Sequence, residues 1–160
     1  MSQVTIELQN AANWPRLPTQ SLMEQWLGAA LQQEQGECVV RIVDVVEGQQ
    51  LNLDYRGKDY ATNILSFPNE LPDIDLDPEL LAELDDGYLG DLVICAEVLE
   101  REATEQHKPV EQHWAHLLVH GILHLQGFDH ITDAEAEEME ALEVKILGKL
   151  GFPDPYQSSI

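Results

Sequence analysis

Five of the six histidines in this chain of 160 residues lie between residues 113 and 130. At about 100° per residue, four of them fall within one helical stripe of roughly 80°, and leucine, valine and isoleucine fill the other side. His120 and His124 stand four residues apart, so their imidazoles on successive turns can reach one metal ion. Gly127 permits a turn through which His130 folds back as a third ligand. The spacing therefore predicts a metal site with three imidazole ligands.

Three protein nitrogens leave one coordination position open for water on a tetrahedral ion. Structural zinc sites normally have four protein ligands, whereas catalytic sites keep such an open position. Water bound there loses a proton more readily, so the pattern favours hydrolysis. We expect Zn²⁺, one ion per chain, with another divalent first-row metal as the alternative, because three imidazoles accept several such ions.

The same run has the spacing of the metzincin proteases, His-Glu-x-x-His-x-x-Gly-x-x-His. Its first, fifth, eighth and eleventh positions match, but its second is Gly121 instead of glutamate. The carboxylate that acts as general base in peptide hydrolysis is therefore missing from the helix. A zinc metallopeptidase-like hydrolase remains an alternative. Asp129 either holds an imidazole in place or belongs to the turn that begins at Gly127.

Hydrophobic periodicity predicts the elements that position these residues. It predicts strands at residues 4–8, 39–46, 51–55, 63–67 and 89–95, with an antiparallel hairpin through residues 47–50. It predicts helices at residues 22–31, ended by Gly36, and at 96–107, 110–126 and 133–150, the last capped by Thr132 or Asp133. The expected fold is α+β: one domain, residues 1–160, with a small mixed sheet of about four strands covered by helices. The helix predicted at residues 110–126, called the metal helix because it carries His120 and His124, is expected to lie across the sheet.

The chain is strongly acidic, with 8 Lys and Arg against 30 Asp and Glu and a formal net charge of −22. Such a field repels nucleic acid from a distance, so any binding of a polyanion needs local positive charge. Residues 69–86 contain eight acids and no Lys or Arg. We interpret this stretch as a solvated surface loop without chemistry, because Pro72 and Pro78 break any fixed ligand geometry.

Two cysteines, Cys38 and Cys95, each lie in an apolar run and have no paired or clustered spacing. The sequence predicts buried free thiols. No window approaches the roughly 20 apolar residues of a membrane span, and the N-terminus lacks a signal-like pattern. We therefore expect a cytoplasmic protein that has no membrane partner.

From His120 to His130 the chain reads His-Gly-Ile-Leu-His-Leu-Gln-Gly-Phe-Asp-His. This run resembles the signature of the bacterial YbeY family of single-strand-specific metallo-endoribonucleases, with Phe128 in place of the usual tyrosine. The resemblance extends through residues 60–68, 90–94 and 115–117 and covers most of residues 50–156. It implies that the metal ligands are His120, His124 and His130, and that Arg56 is a functionally important arginine.

The resemblance also implies an activity. The family takes part in maturation of the 3′ end of 16S ribosomal RNA and in late quality control of 70S ribosomes, so single-stranded RNA in ribosomal particles is the expected substrate. Arg56 would hold a phosphate through its planar fork, within a positive pocket that includes Lys58 and the metal. His116 is a candidate catalytic residue, either as a further contact to substrate or as a partner of the ligands, and the alternative is an ordinary helix-packing histidine. The acidic surface would also steer the protein toward a basic ribosomal protein.

Three classes of function therefore remain: a metal-dependent endoribonuclease, a zinc metallopeptidase-like hydrolase, and a non-catalytic ribosome assembly factor with a structural metal. Gly121 argues against the peptidase, and the open coordination position argues against a structural metal. The endoribonuclease is the preferred interpretation.

Overall fold

A mixed sheet and the helices packed on it make up the described part of the chain. The computed structural model describes residues 3–69, 87–128 and 132–156. Within these ranges the strands are β1 (Gln3–Asn10), β2 (Gln35–Val43), β3 (Ile64–Pro68) and β4 (Tyr88–Cys95). The helices are α1 (Gln20–Ala30), α2 (Val45–Arg56), α3 (Ala96–Glu105), α4 (Val110–Leu125) and α5 (Asp133–Lys149).

The four strands follow the order β1-β2-β4-β3. Strands β1, β2 and β4 run parallel, and β3 pairs antiparallel with β4 along one edge. The long apolar run of β4 fits its place inside the sheet, since a parallel strand covered on both faces needs apolar side chains on both. The predicted α+β fold with a four-stranded mixed sheet is confirmed.

The two faces of the sheet have separate hydrophobic cores. The larger core joins alternate residues of β1, β2 and β4 to α1, α4 and α5, with Trp26 and Trp114 fully buried in it. The smaller core lies on the opposite face, where Val43, Leu65 and Val93 pack against α2. Helix α4, the predicted metal helix, packs across β3 and β4 as expected.

Gly121 sets how closely α4 approaches the sheet. A Cβ atom at this position would lie 2.8 Å from Cδ1 of Ile64 and 2.8 Å from Cδ2 of Leu92. The residue is buried and faces the sheet. A glutamate there would displace core side chains and place its carboxylate in the core. The position that carries the general base of a metzincin is therefore used here for packing.

The predicted strand at residues 51–55 and its hairpin are wrong, because these residues lie in α2. The side chain of Asp44 accepts a hydrogen bond of 2.8 Å from the backbone N–H of Glu47 and so caps the helix. Gly57 ends the helix with a φ of 70°. The apolar alternation of Leu51, Leu53 and Tyr55 suggested a strand, yet Leu53 and Tyr55 are exposed.

Most helix boundaries agree with the sequence. Helix α4 ends at Leu125, followed by Gly127 with a φ of 99°. Thr132 caps α5 by accepting a hydrogen bond of 3.1 Å from the N–H of Glu135. The predicted role of Gly36 as a helix terminator is wrong, because α1 ends at Ala30 and Gly36 pairs with Val4 inside the sheet. The predicted loop at residues 69–86 lies, beyond Asn69, outside the described residues.

Both cysteines are buried and unpaired, as predicted. Burial, followed by the charges of Asp91 and Glu24, raises the pKa of the Cys38 thiol to about 12. Among the described residues, no helix combines the length and the apolar character that crossing a bilayer requires.

Candidate active site

One cavity of about 600 Å³ lies between α4, the end of α2 and the edge strand β3. Its lining includes four of the residues that the sequence singled out: Arg56, His116, His120 and His124. The fold thus brings together side chains that are up to 68 positions apart in the chain. His130 lies outside the described residues, as does Asp129.

His120 and His124 face each other on successive turns of α4. Their Nε2 atoms are 3.1 Å apart, and the ring centroids are 4.6 Å apart. Nδ1 of His120 lies 2.8 Å from Oε1 of Glu143. Because a carboxylate only accepts hydrogen bonds, His120 donates from Nδ1, and in the neutral ring its Nε2 then carries the lone pair that faces His124.

The chemistry and spacing of these two nitrogens suit a shared metal ion. With zinc–nitrogen bonds of about 2.0–2.1 Å, two ligands of a tetrahedral ion lie about 3.4 Å apart, close to the 3.1 Å seen between the two Nε2 atoms. Within the described ranges, no group of three or more His, Cys, Asp or Glu side chains converges on a point suited to a metal. The described residues therefore supply two ligands of the predicted three, and the role of His130 stays a prediction.

Glu143 of α5 is a residue of the site that the sequence analysis missed. Its side chain is only 1% exposed, and it also accepts a hydrogen bond of 2.7 Å from the Tyr156 hydroxyl. Burial raises the pKa of its carboxyl, but hydrogen bonds from His116 and His120 lower it more, to about 2. The group is a charged carboxylate held by several donors, which is how a buried charge is stabilised.

A sequence signal for Glu143 exists. It lies on the stripe of α5 that packs into the core with Met139, Ile146 and Leu147. An acid on an apolar stripe needs a buried partner. Because the chain contains so many acids, this one does not stand out in the sequence.

Tyr156 completes this arrangement from the C-terminal segment. Burial, then the hydrogen bond to Glu143, raises the pKa of the Tyr156 hydroxyl above its ordinary value. The hydroxyl therefore stays protonated and donates to the carboxylate. Its ring also packs edge-on against His116, with centroids 5.3 Å apart.

His116 lies closer to Glu143 than to the two predicted ligands. Its Nε2 atom is 3.3 Å from Oε1 of Glu143 and 3.3 Å from the Tyr156 hydroxyl oxygen. Of the roles that the sequence left open, the contacts fit a residue that holds Glu143, the partner of His120. His113, one turn earlier, is buried with Nε2 3.0 Å from Oε1 of Glu102, which fits a structural role.

Arg56 is the last residue of α2 and is exposed at the cavity, whereas Lys58 does not line it. Of the two cationic side chains predicted for the pocket, Arg56 is therefore the one found among the described lining residues. A cation at the end of a helix is stabilised by the helix dipole. Its guanidinium suits a phosphate, which it can bind through two parallel hydrogen bonds.

The fold and the cavity define an α+β protein with an imidazole-lined site beside Arg56. Residues 5–151 match the sequence profile of the family described as endoribonuclease YbeY, and the chain belongs to that family. Its members are endoribonucleases of ribosomal RNA processing. The resemblance seen in the sequence is thereby confirmed.

A solved structure agrees with the fold. The solution structure of TM1509 from Thermotoga maritima, a NESGC target protein, is similar at a TM-score of 0.51 and 21% sequence identity. The match covers 96% of this chain and 99% of the other. At this identity the similarity supports the architecture alone.

Proposed function

We propose that this endoribonuclease is metal-dependent and cuts single-stranded RNA, with one Zn²⁺ held by His120, His124 and His130. The observation that carries the proposal is the pair of Nε2 atoms 3.1 Å apart, in a cavity that also contains Arg56. When bound, the ion would acidify a water and polarise a phosphate, the two contributions that metals make to phosphodiester hydrolysis.

Side chains of the protein bind the substrate and position the ligands of the ion. Arg56 binds and orients the phosphate next to the scissile bond. Glu143 holds the Nδ1 proton of His120, so that the opposite nitrogen keeps its lone pair toward the ion. His116 and Tyr156 act through Glu143 and are positioning residues in this scheme. Gly121 excludes the helix-borne base of a peptidase, which disfavours the zinc metallopeptidase-like alternative.

Family membership supports a proposal for the natural substrate. We infer that the protein acts in maturation of the 3′ end of 16S ribosomal RNA and in late quality control of 70S ribosomes. A net charge of −22 disfavours unguided binding to RNA. A basic ribosomal protein that contacts the acidic surface would deliver the enzyme to ribosomal particles, since complementary charge steers association.

The test compares three substrates with one protein preparation. Zinc-loaded protein is incubated with a labelled single-stranded RNA, with the same RNA in a duplex, and with casein. We expect cleavage of the single strand alone, its loss after chelation, and its return on adding Zn²⁺. Cleavage of casein without cleavage of RNA would instead favour the peptidase. Metal-independent binding to ribosomal particles without cleavage of any substrate would favour the assembly factor.

A further inference from the structure

Two aromatic side chains meet where α2 and β3 form the wall of the cavity. The rings of Tyr55 and Phe67 pack edge to face, with centroids 4.3 Å apart and planes at 85°. Both side chains line the cavity that contains His120 and His124. Tyr55 nevertheless remains 70% exposed. A large part of an aromatic ring is thus open to solvent at the site, while the contact with Phe67 fixes its orientation.

The backbone on both sides of this pair is held in place. A Cβ atom at Gly90 would lie 2.3 Å from the carbonyl oxygen of Phe67, so glycine lets β3 and β4 approach closely there. Gly57 ends α2 two residues after Tyr55. An aromatic surface on rigid elements loses little conformational freedom when it binds a flat ligand.

The neighbour of Tyr55 in the chain suggests what the ligand is. Arg56 lines the same cavity and offers a fork for a phosphate. Adjacent residues that bind a flat ring and a phosphate match the base and the phosphate of one nucleotide. Resting on the function proposed above, we propose that Tyr55 and Phe67 form a subsite that binds an unpaired nucleobase of the RNA whose phosphate Arg56 holds.

The charge of the protein makes such a subsite necessary for affinity. Among the described lining residues Arg56 is the single Lys or Arg, and the formal net charge is −22. Few phosphates can therefore be neutralised, and little of the usual counterion-release affinity is available. Stacking of a base on an aromatic ring does not depend on net charge and tolerates any base. A duplex hides the faces of its bases, so the subsite would also select single strands.

The test separates the base from the backbone with two competitors of equal length. One is a dU 12-mer and the other a fully abasic deoxyribose-phosphate 12-mer, and each inhibits cleavage of a labelled single-stranded RNA by zinc-loaded protein. The variants are Tyr55→Leu, which removes the ring, and Tyr55→Phe, which keeps it. Tyr60→Leu is the matched control, because Tyr60 is 55% exposed and does not line the cavity. Zinc content and thermal unfolding are measured for each protein.

For Tyr55→Leu we expect KM to rise roughly tenfold with kcat within twofold of wild type, the loss that removal of one stacked base entails. The dU 12-mer should inhibit the wild-type protein more strongly than the abasic 12-mer does. In Tyr55→Leu this difference in inhibition should largely disappear. Tyr55→Phe and Tyr60→Leu should behave as wild type.

An unchanged KM in Tyr55→Leu, in a wild-type protein that does cut single-stranded RNA, would overturn the subsite and leave the proposed function standing. A fall in kcat or in zinc content would overturn it too, since Tyr55 would then act on the metal site. Failure of the wild-type protein to cut single-stranded RNA would overturn the proposed function and the subsite together.

Discussion

Glu143 is the residue through which the parts of the histidine site are connected. His116, His120 and Tyr156 all lie within hydrogen-bond distance of its buried carboxylate. Three donors on one carboxylate explain how this charge is tolerated in the core. They also mean that a change at Glu143 affects the tautomer and the orientation of His120 without touching a predicted ligand.

Replacing Glu143 with glutamine tests this role. The amide keeps the shape but removes the charge and one acceptor, so His120 loses its fixed tautomer. We expect affinity for Zn²⁺ to fall about 10- to 100-fold, measured by competition with a chromophoric chelator. Glu138→Gln, an exposed change on the same helix, is the control and should bind as wild type. Equal affinity in the two variants would contradict the positioning role of Glu143.

Arg56 provides a second test at the residue level. Loss of a charged hydrogen bond to phosphate costs roughly 1.5–3 kcal/mol, so Arg56→Ala should lower kcat/KM for single-stranded RNA about 10- to 100-fold. Arg56→Lys should recover part of it, because an ammonium is a point charge without the fork. Lys58→Ala serves as the control. If Arg56→Ala bound and cut RNA at wild-type levels, the phosphate role of Arg56 would be abandoned.

At the level of single residues, the sequence predicted the contacts that follow from spacing along one helix. His120 and His124 are four residues apart on one helix, so their convergence follows from helical geometry. Glu143 and Tyr156 reach the site from other elements, and their approach depends on tertiary packing that no local period records. The cavity beside Arg56 was expected from family resemblance, and the structure places that residue with the histidines.

At the level of elements, α2 shows where sequence patterns mislead. Leu51, Leu53 and Tyr55 alternate as in a strand, but they follow the helix N-cap Asp44, whose side chain accepts a hydrogen bond from the N–H of Glu47. The consequence is functional, because α2 ends at the cavity and carries Tyr55 and Arg56 to it. A hairpin would have put these two side chains on opposite faces of a strand.

The packing of α4 on the sheet gives a prediction about Gly121. Gly121→Glu places a charge in the core and clashes with Ile64 and Leu92. We expect the free energy of unfolding to fall by more than about 3 kcal/mol, measured by urea denaturation. Gly148→Ala is the contrasting glycine change. Its side chain would meet no atom within 4 Å, so it should gain up to about 1 kcal/mol. A folded Gly121→Glu protein of wild-type stability would show that α4 does not lie this close to the sheet.

For the whole molecule, the strands of the sheet were largely predictable. Alternating and continuous apolar runs indicate all four strands of the sheet, although the fifth predicted strand, at residues 51–55, is part of α2. Strand order was not predictable, because it depends on which long-range pairings bury the most surface. The edge position of β3 matters for function, since it places Phe67 beside α2.

The thiols provide a test of the whole core. Cys38 and Cys95 are buried, and burial raises the pKa of both thiols. Since the thiolate is the reactive form, native protein at pH 8 should react with Ellman's reagent far more slowly than unfolded protein, in which both cysteines are accessible. Rapid reaction of either cysteine in the native protein would contradict the packing described for the sheet.

Whether the imidazole pair on α4 holds a catalytic metal can be decided by comparing three proteins in one assay. Zinc-loaded wild type, His124→Ala and His107→Ala are assayed on a labelled single-stranded RNA after their folding has been verified. His107 is exposed and does not line the cavity, so its variant is the matched histidine control. We predict that wild type and His107→Ala cut the RNA, while His124→Ala loses zinc and at least 100-fold in rate. Equal cleavage by His124→Ala would place the activity outside this site and contradict a catalytic metal on α4.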